Sequence, residues 1–262
     1  MPPAQMNFDN KVIVLTGASS GIGYHLAKLL PKENCSLALV ARRKDILDQL
    51  VSEIKNPNIK INSYQCDVGK RAEVQDTFNK IKNDFGRIDI AILNAGVSSR
   101  KDVSNFSSVT ADEIFSTNTL SMVYCIEQLL PDFLERREGM IVGVTSLAES
   151  RGFPRSGFYS ASKSAASLLL ESLRIELKPH NIKVITIKPG FVKTPMTDKN
   201  EFYMPFLMDV EKAAKIILNG IKKEKKIIQF PLPTVIGAKV LKFMPNFLFD
   251  FFMSKQLPAR KG

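Results

Sequence analysis

Short apolar runs alternate along this chain with longer stretches in which apolar residues recur every three or four positions. "VIVLT" (12–16) precedes Ile22 to Leu30, "LALVA" (37–41) precedes Ile46 to Ile54, and "INSYQ" (61–65) precedes Val74 to Ile81. "IDIAILNA" (88–95) then precedes Ile114 to Leu134, "MIVGVTS" (140–146) precedes Tyr159 to Leu177, and "KVITIKP" (183–189) follows. Period two or continuous apolar runs mark strands, and period 3.6 marks helices. Strand and helix in strict alternation predict an α/β protein with a doubly wound parallel sheet of about seven strands, helices covering both faces. No composition break or Pro/Gly-rich linker interrupts the alternation, so a single domain with right-handed crossovers is expected. Past Gly190 the pattern loosens through Phe191 to Met208, then resumes with a helix over Val210 to Lys222 and a last strand "IIQF" (227–230). The expected layout is a body over 1–230, with a flap at 191–208, and an extension over 231–262.

Composition narrows the setting. With 262 residues, 44% of them hydrophobic, the chain can bury a sizeable core. Cys35, Cys66 and Cys125 are odd in number and form no CxxC, which favours reduced, packed thiols over a disulfide framework or a metal site. The stretch "MPPAQMNFDN" has neither the basic nor the apolar region of a signal peptide, and no apolar run reaches the roughly 18 residues of a membrane span. A cytoplasmic protein is the expectation. The net charge of +11 fits an anionic partner, whether a phosphorylated ligand, an acidic carrier protein or a membrane surface. The densest basic run, "KKEKK" at Lys222 to Lys226, comes with no nucleic-acid motif, so nucleic acid is not expected.

Candidate chemistry begins at "TGASSGIG" (16–23), between the first strand and an amphipathic helix. Gly17 would allow the sharp turn, Gly21 close approach of backbone to a pyrophosphate, and Gly23 close packing of helix on strand. The helix N-terminus adds unpaired N–H groups and partial positive charge. At the end of the second strand stand Ala41, Arg42 and Arg43, where dinucleotide sites selective for NAD carry an acid. A guanidinium binds phosphate oxygens bidentately, so Arg42 points to NADP(H), with NAD(H) second; Arg43 either supports it or is solvated. Asp45 falls near the start of the next helix.

"FYSASKSAA" (158–166) places Tyr159 and Lys163 four residues apart, on one helix face. An ammonium about 4 Å from a phenolate contributes roughly 4 kcal/mol at an effective dielectric of about 20, enough to draw a phenol pKa of about 10 toward neutrality. A lowered Tyr159 pKa is therefore expected.

Taken together, "TGASSGIG" (16–23), "CDV" (66–68), "NAG" (94–96), Asn118, Ser146, "YSASK" (159–163) and "PGFVKT" (189–194) resemble, in order, the motifs of the short-chain dehydrogenase/reductase family. The resemblance covers most of the chain to about residue 195 and implies a single-domain Rossmann fold. It implies cofactor contacts at Gly17, Ser19, Ser20, Gly21, Ile22, Gly23, Arg42 and Arg43, with Asp67 and Val68 by the adenine. Asn94, Ala95 and Gly96 would lie against the cofactor ribose, and Pro189, Gly190, Val192 and Thr194 beside the nicotinamide. For catalysis it implies Tyr159 as proton donor, Lys163 on the ribose, Ser146 on the substrate oxygen and Asn118 holding a water that links the lysine to solvent. Plainer readings are a helix cap for Asp67, a strand-end turn for "NAG", a turn hydroxyl for Ser146 and an exposed helix polar residue for Asn118.

Departures from the family pattern are Leu93, Ser121 and Glu149, the last either facing solvent or shaping the substrate mouth. The glycine-rich ending of tetrameric relatives is absent, and a homodimer is expected. Phe153, Pro154 and the flap "EFYMPFLM" suggest an apolar mouth with few charges, hence a hydrophobic ketone, aldehyde or acyl-type substrate. The extension, with Phe243, Phe247, Phe249, Phe251 and Phe252 beside Lys239, Lys242, Lys255, Arg260 and Lys261, would cover the pocket, form an interface or contact a membrane peripherally, split at Pro245. The sequence thus favours an NADPH-dependent carbonyl reductase or alcohol dehydrogenase, with a 3-oxoacyl or steroid-type reductase second. A nucleotide-binding regulatory protein without turnover is the reading from another class.

Overall fold

The computed structural model describes residues 6–54 and 56–255; Arg260, Lys261 and the start of the N-terminal stretch lie outside the described residues. Seven parallel strands form one sheet in the order β3-β2-β1-β4-β5-β6-β7. They are β1 Val12–Thr16, β2 Ser36–Ala41, β3 Ile61–Gln65, β4 Ile90–Leu93, β5 Gly139–Val144, β6 Ile182–Pro189 and β7 Ile227–Phe230. Between them run helices α1 Gly21–Leu29, α2 Lys44–Glu53, α3 Arg71–Phe85, α4 Ser108–Phe115, α5 Ser121–Arg136, α6 Gly157–Glu176 and α7 Val210–Lys222, followed by α8 Leu232–Phe243 and α9 Asn246–Ser254. This is the doubly wound Rossmann fold that the alternation predicts.

Successive side chains of a strand face opposite sides, so each buried strand feeds two cores. Ile13 and Leu15 of β1 join Leu26, Leu47 and Ile217 of α1, α2 and α7 on one face. Val14 joins Phe78, Leu129 and Leu170 of α3, α5 and α6 on the other. The strand order reverses between β1 and β4, and ligands of open α/β sheets bind outside the carboxyl ends at that switch.

One element differs from expectation. The single helix expected over 114–134 is α4 and α5 joined by a π-helical turn, Ser116–Leu120, which sequence periodicity does not register. The extension splits at Pro245 into α8 and α9, as expected of a residue that cannot continue the hydrogen-bond ladder. Val235 and Phe249 are the buried anchors of these two helices.

Candidate active site

The carboxyl end of β1 turns at Gly17 and Gly21, both at positive φ (68° and 55°). A Cβ on Gly17 would stand 2.8 Å from the Ala95 Cα, so the turn lies directly on the residues after β4. Thr16 clasps the two segments: its Oγ1 accepts from the amides of Asn94 (3.0 Å) and Ala95 (3.1 Å). The Asn94 side-chain amide in turn donates to the carbonyls of Thr16 and Gly17, both at 3.2 Å. Gly23 serves close packing, since a Cβ there would meet the Gly17 carbonyl oxygen at 2.3 Å. Ser20, the N-cap of α1, makes no side-chain bond to the first-turn amides, which leaves them available to an anion.

These features open one cleft that runs from the glycine turn to Thr197. Its walls include Ser19, Ser20, Ile22, Arg42, Arg43, Asp67, Val68, Asn94, Ala95, Gly96, Pro189, Gly190, Val192 and Thr194, together with Ser146, Tyr159 and Lys163. Of the residues expected from sequence to bind the cofactor or to catalyse, Gly23 and Asn118 alone are not part of the lining. The cleft fits a dinucleotide on its own geometry: uncapped helix amides, glycines where backbone must be approached, and Gly96, where a Cβ would come within 3.2 Å of the Lys163 Nζ.

Arg43 is not merely solvated. Its guanidinium donates to Ser19 Oγ at 3.0 Å and to the Ser19 carbonyl at 3.1 Å, tying β2 to the glycine turn. Arg42 is exposed on the cleft wall, and its side chain makes no hydrogen bond among the described residues. Asp67 is not a helix cap. Its carboxylate accepts from the Gly69 amide at 3.1 Å in a local turn, and Lys70 is the residue at the N-cap of α3.

The catalytic candidates sit on three elements. Ser146 follows β5, and its Oγ accepts from the Ala148 amide at 3.1 Å. Tyr159 and Lys163 lie on α6, where Lys163 is 3% exposed and donates to the Val144 carbonyl at 2.9 Å. Asn118, expected at the surface on its plainer reading, is 0% exposed. Its Oδ1 accepts from Val97 N (2.8 Å), while its amide donates to Val97 O and to Ser162 Oγ, each at 3.0 Å. The π-helical turn carries Asn118 into the space between the β4 loop and α6.

Burial reverses the expected electrostatics of Tyr159. Desolvation raises its pKa, with hydrogen bonding by Ser146 opposing and the charge of Glu149 adding to the rise. Burial likewise brings Lys163 down to about 8, against a smaller upward pull from Glu149. Desolvation thus opposes the lowering that the helical spacing to the ammonium predicts. Glu149 itself neither faces solvent nor lines the cleft: it pairs with Lys188 and accepts from Ser167 Oγ at 3.0 Å. The three cysteines are buried, and desolvation raises Cys35 to about 12 and Cys66 to about 11, so neither is a nucleophile near neutral pH.

The flap is held by a bridge between Val192 and Met208 and by Thr197, whose Oγ1 accepts from Thr194 N (2.9 Å) and donates to Val192 O (2.7 Å). The clasp by Thr16, though it opens "TGASSGIG", and the role of Thr197 were not legible beforehand, because their partners lie outside any local motif. A cation lies beside the flap. Arg100, in the loop after Gly96, stacks over the flap residue Phe202 at 4.1 Å, and burial together with the nearby Arg155 charge lowers its pKa.

The sequence model of the short chain dehydrogenase family matches residues 11–202. An uncharacterised oxidoreductase of Myxococcus xanthus is 32% identical over 94% of this chain and 97% of its own length. A 3-oxoacyl-(acyl-carrier-protein) reductase FabG of Thermotoga maritima is 30% identical over 74% of this chain and 79% of its own. An alcohol dehydrogenase from the archaeon Thermococcus sibiricus, solved with 5-hydroxy-NADP, superposes with a TM-score of 0.75 at 25% identity, covering 85% of this chain and 95% of that one. Other structures of this fold contain NADPH or NAD. With the glycine turn, the cleft and the ordered motifs on one sheet edge, the chain belongs to the short-chain dehydrogenase family and is an NAD(P)-dependent oxidoreductase.

Proposed function

We propose that the enzyme is an NADPH-dependent reductase of hydrophobic ketones, aldehydes or acyl-type carbonyls, with Tyr159 as proton donor. The observation that carries this reading is that Ser146, Tyr159 and Lys163 line the same cleft as the glycine turn. Bound nicotinamide supplies a hydride to the carbonyl carbon. Negative charge then develops on the substrate oxygen, and the chain must stabilise and protonate it. The Ser146 hydroxyl donates a hydrogen bond to that oxygen, and the Tyr159 phenol, whose pKa desolvation raises so that it carries its proton at neutral pH, delivers the proton. Lys163, with a pKa near 8, bonds the ribose hydroxyls and recharges Tyr159. Both amide hydrogens of Asn118 are committed to Val97 and Ser162, so we assign it the positioning of loop and helix.

Selection of NADPH rests on Arg42, whose guanidinium is free on the cleft wall for a 2′-phosphate while Arg43 braces the turn. Asp67 and Val68 take the adenine, Asn94 to Gly96 the ribose, and Val192 and Thr194 the carboxamide. The catalytic domain runs to residue 230, the extension that follows it packs on the domain, a partner or a membrane surface, and the protein is a cytoplasmic homodimer.

A second reading is favoured by one observation, the nearness of two cations, Arg100 on the loop after β4 and Arg155 on the loop before α6: a 3-oxoacyl reductase whose thioester is borne by an acidic carrier or a phosphorylated cofactor. A screen of ketones, aldehydes and acyl thioesters with NADPH separates the readings. Turnover of free ketones supports the first and turnover of carrier thioesters alone the second. NADPH binding without oxidation by any substrate would leave a nucleotide-binding regulator.

A further inference from the structure

The α8–α9 pair is buried only along one edge. Val235 and Phe249 face the body, whereas Leu232 (69% exposed), Ile236, Val240, Phe243 (81%), Phe247 (71%) and Phe251 face outward. Along α8 the outward positions fall at 232, 236, 240 and 243, the spacing of a single helix face, and 247 and 251 repeat it on α9. An apolar face of this extent on an otherwise folded body marks an interaction surface. Its charges are of one prevailing sign: Lys239, Lys242 and Lys255 are exposed beside it, Lys255 lying 4.1 Å over the Phe251 ring, and Asp250 is the one acid of the two helices.

This face is fastened to the catalytic loop. Arg151, five residues after Ser146, donates to the Met244 carbonyl and to Asn246 Oδ1, both at 3.0 Å, and stacks over Phe249 at 4.2 Å. Phe153 packs edge-on against Phe249 at 6.1 Å. The neighbouring loops at the carboxyl ends of β4 and β6 add exposed Phe106, Tyr203 and Phe206. Among the described residues no helix is long and apolar enough to cross a membrane. Short helices that are apolar outward and flanked by lysines suit the interface plane of a bilayer rather than its interior.

We infer that the α8–α9 face docks on an anionic lipid surface, holding the carboxyl end of the sheet, and with it the mouth of the cleft, against the bilayer. The lysine excess decides between occupants: a second copy would bring the same positive charges onto this face, whereas an anionic leaflet neutralises them. The inference stands apart from the choice of substrate and of cofactor.

The test is co-sedimentation of the full-length protein with vesicles of phosphatidylcholine alone and of phosphatidylcholine with phosphatidylglycerol at three to one. Binding to the anionic vesicles is expected, weakening roughly fivefold for each of Lys239→Gln and Lys242→Gln. Phe243→Glu with Phe247→Glu should lower it at least about tenfold, because interfacial binding scales with buried apolar area. These side chains are exposed, so the variants should keep NADPH affinity and oligomeric state, read by nucleotide titration and light scattering. Wild-type protein that remains in the supernatant with both vesicles overturns the inference. So does a Phe variant that changes the oligomeric state, since the face then belongs to a contact between copies.

Discussion

The Lys163 ammonium donates to the carbonyl of Val144, the last residue of β5, at 2.9 Å. That bond joins the middle of α6 to the sheet two residues before Ser146, so serine, tyrosine and lysine share a wall of one cleft. It also leaves a buried cation with a pKa brought down to about 8.

The buried ammonium predicts a pH signature in the cofactor-free protein. In the unfolded chain Lys163 titrates at its ordinary 10.5, and in the folded protein at about 8. Between those values the unfolded state binds more protons, so the contribution of Lys163 to stability rises with pH across the window and its penalty is complete below about pH 8. In Lys163→Met the penalty is gone. The melting temperature of the variant relative to wild type should therefore be most favourable below pH 8 and lose that advantage toward pH 10.5, as followed by circular dichroism. A difference independent of pH would show that the ammonium is not desolvated.

Arg42 and Arg43 should separate cleanly. Arg42→Ala should lose about 10- to 100-fold in NADPH affinity, the scale of a hydrogen bond to a charged group, and little in NADH affinity. Arg43→Ala removes the bonds to Ser19 and should weaken both nucleotides together, because it disturbs the turn they share. Nucleotide titrations monitored by nicotinamide fluorescence give both numbers. Wild-type affinities that are equal for NADPH and NADH would refute the phosphate role of Arg42.

Glu149 and Lys188 form a half-buried ion pair behind the Ser146 turn. Glu149→Gln strands the lysine and should cost about 2–3 kcal/mol, below the range for fully buried pairs because both side chains retain some exposure. Adding Lys188→Met should recover part of that loss. Denaturant unfolding of the single and double variants closes the cycle, and additive losses would deny the coupling.

Much of this was legible because apolar periodicity and glycine spacing report local geometry. "INSYQ", "IIQF" and the helix over 210–222 match β3, β7 and α7 residue for residue. What the sequence hid depends on depth and on long-range partners. The four-residue spacing of Tyr159 and Lys163 shows a shared face but not that the face is dry, and burial decides the pKa. Asn118 is turned inward by a π-helical turn that leaves no periodic trace, and its partner Val97 is 21 residues away. Glu149 finds Lys188 39 residues on. Arg100 stacks over Phe202, 102 residues on in the flap, a contact that no local pattern announces.

The proton donor is the centre of the account, and Tyr159→Phe tests it most directly. The substitution removes one oxygen from a half-buried ring and should leave NADPH affinity near the wild-type value. With any substrate the wild type reduces, kcat should fall by about 10²- to 10⁴-fold, the usual contribution of a positioned general acid. A variant that binds NADPH normally and still turns over at close to the wild-type rate would contradict the assignment of Tyr159.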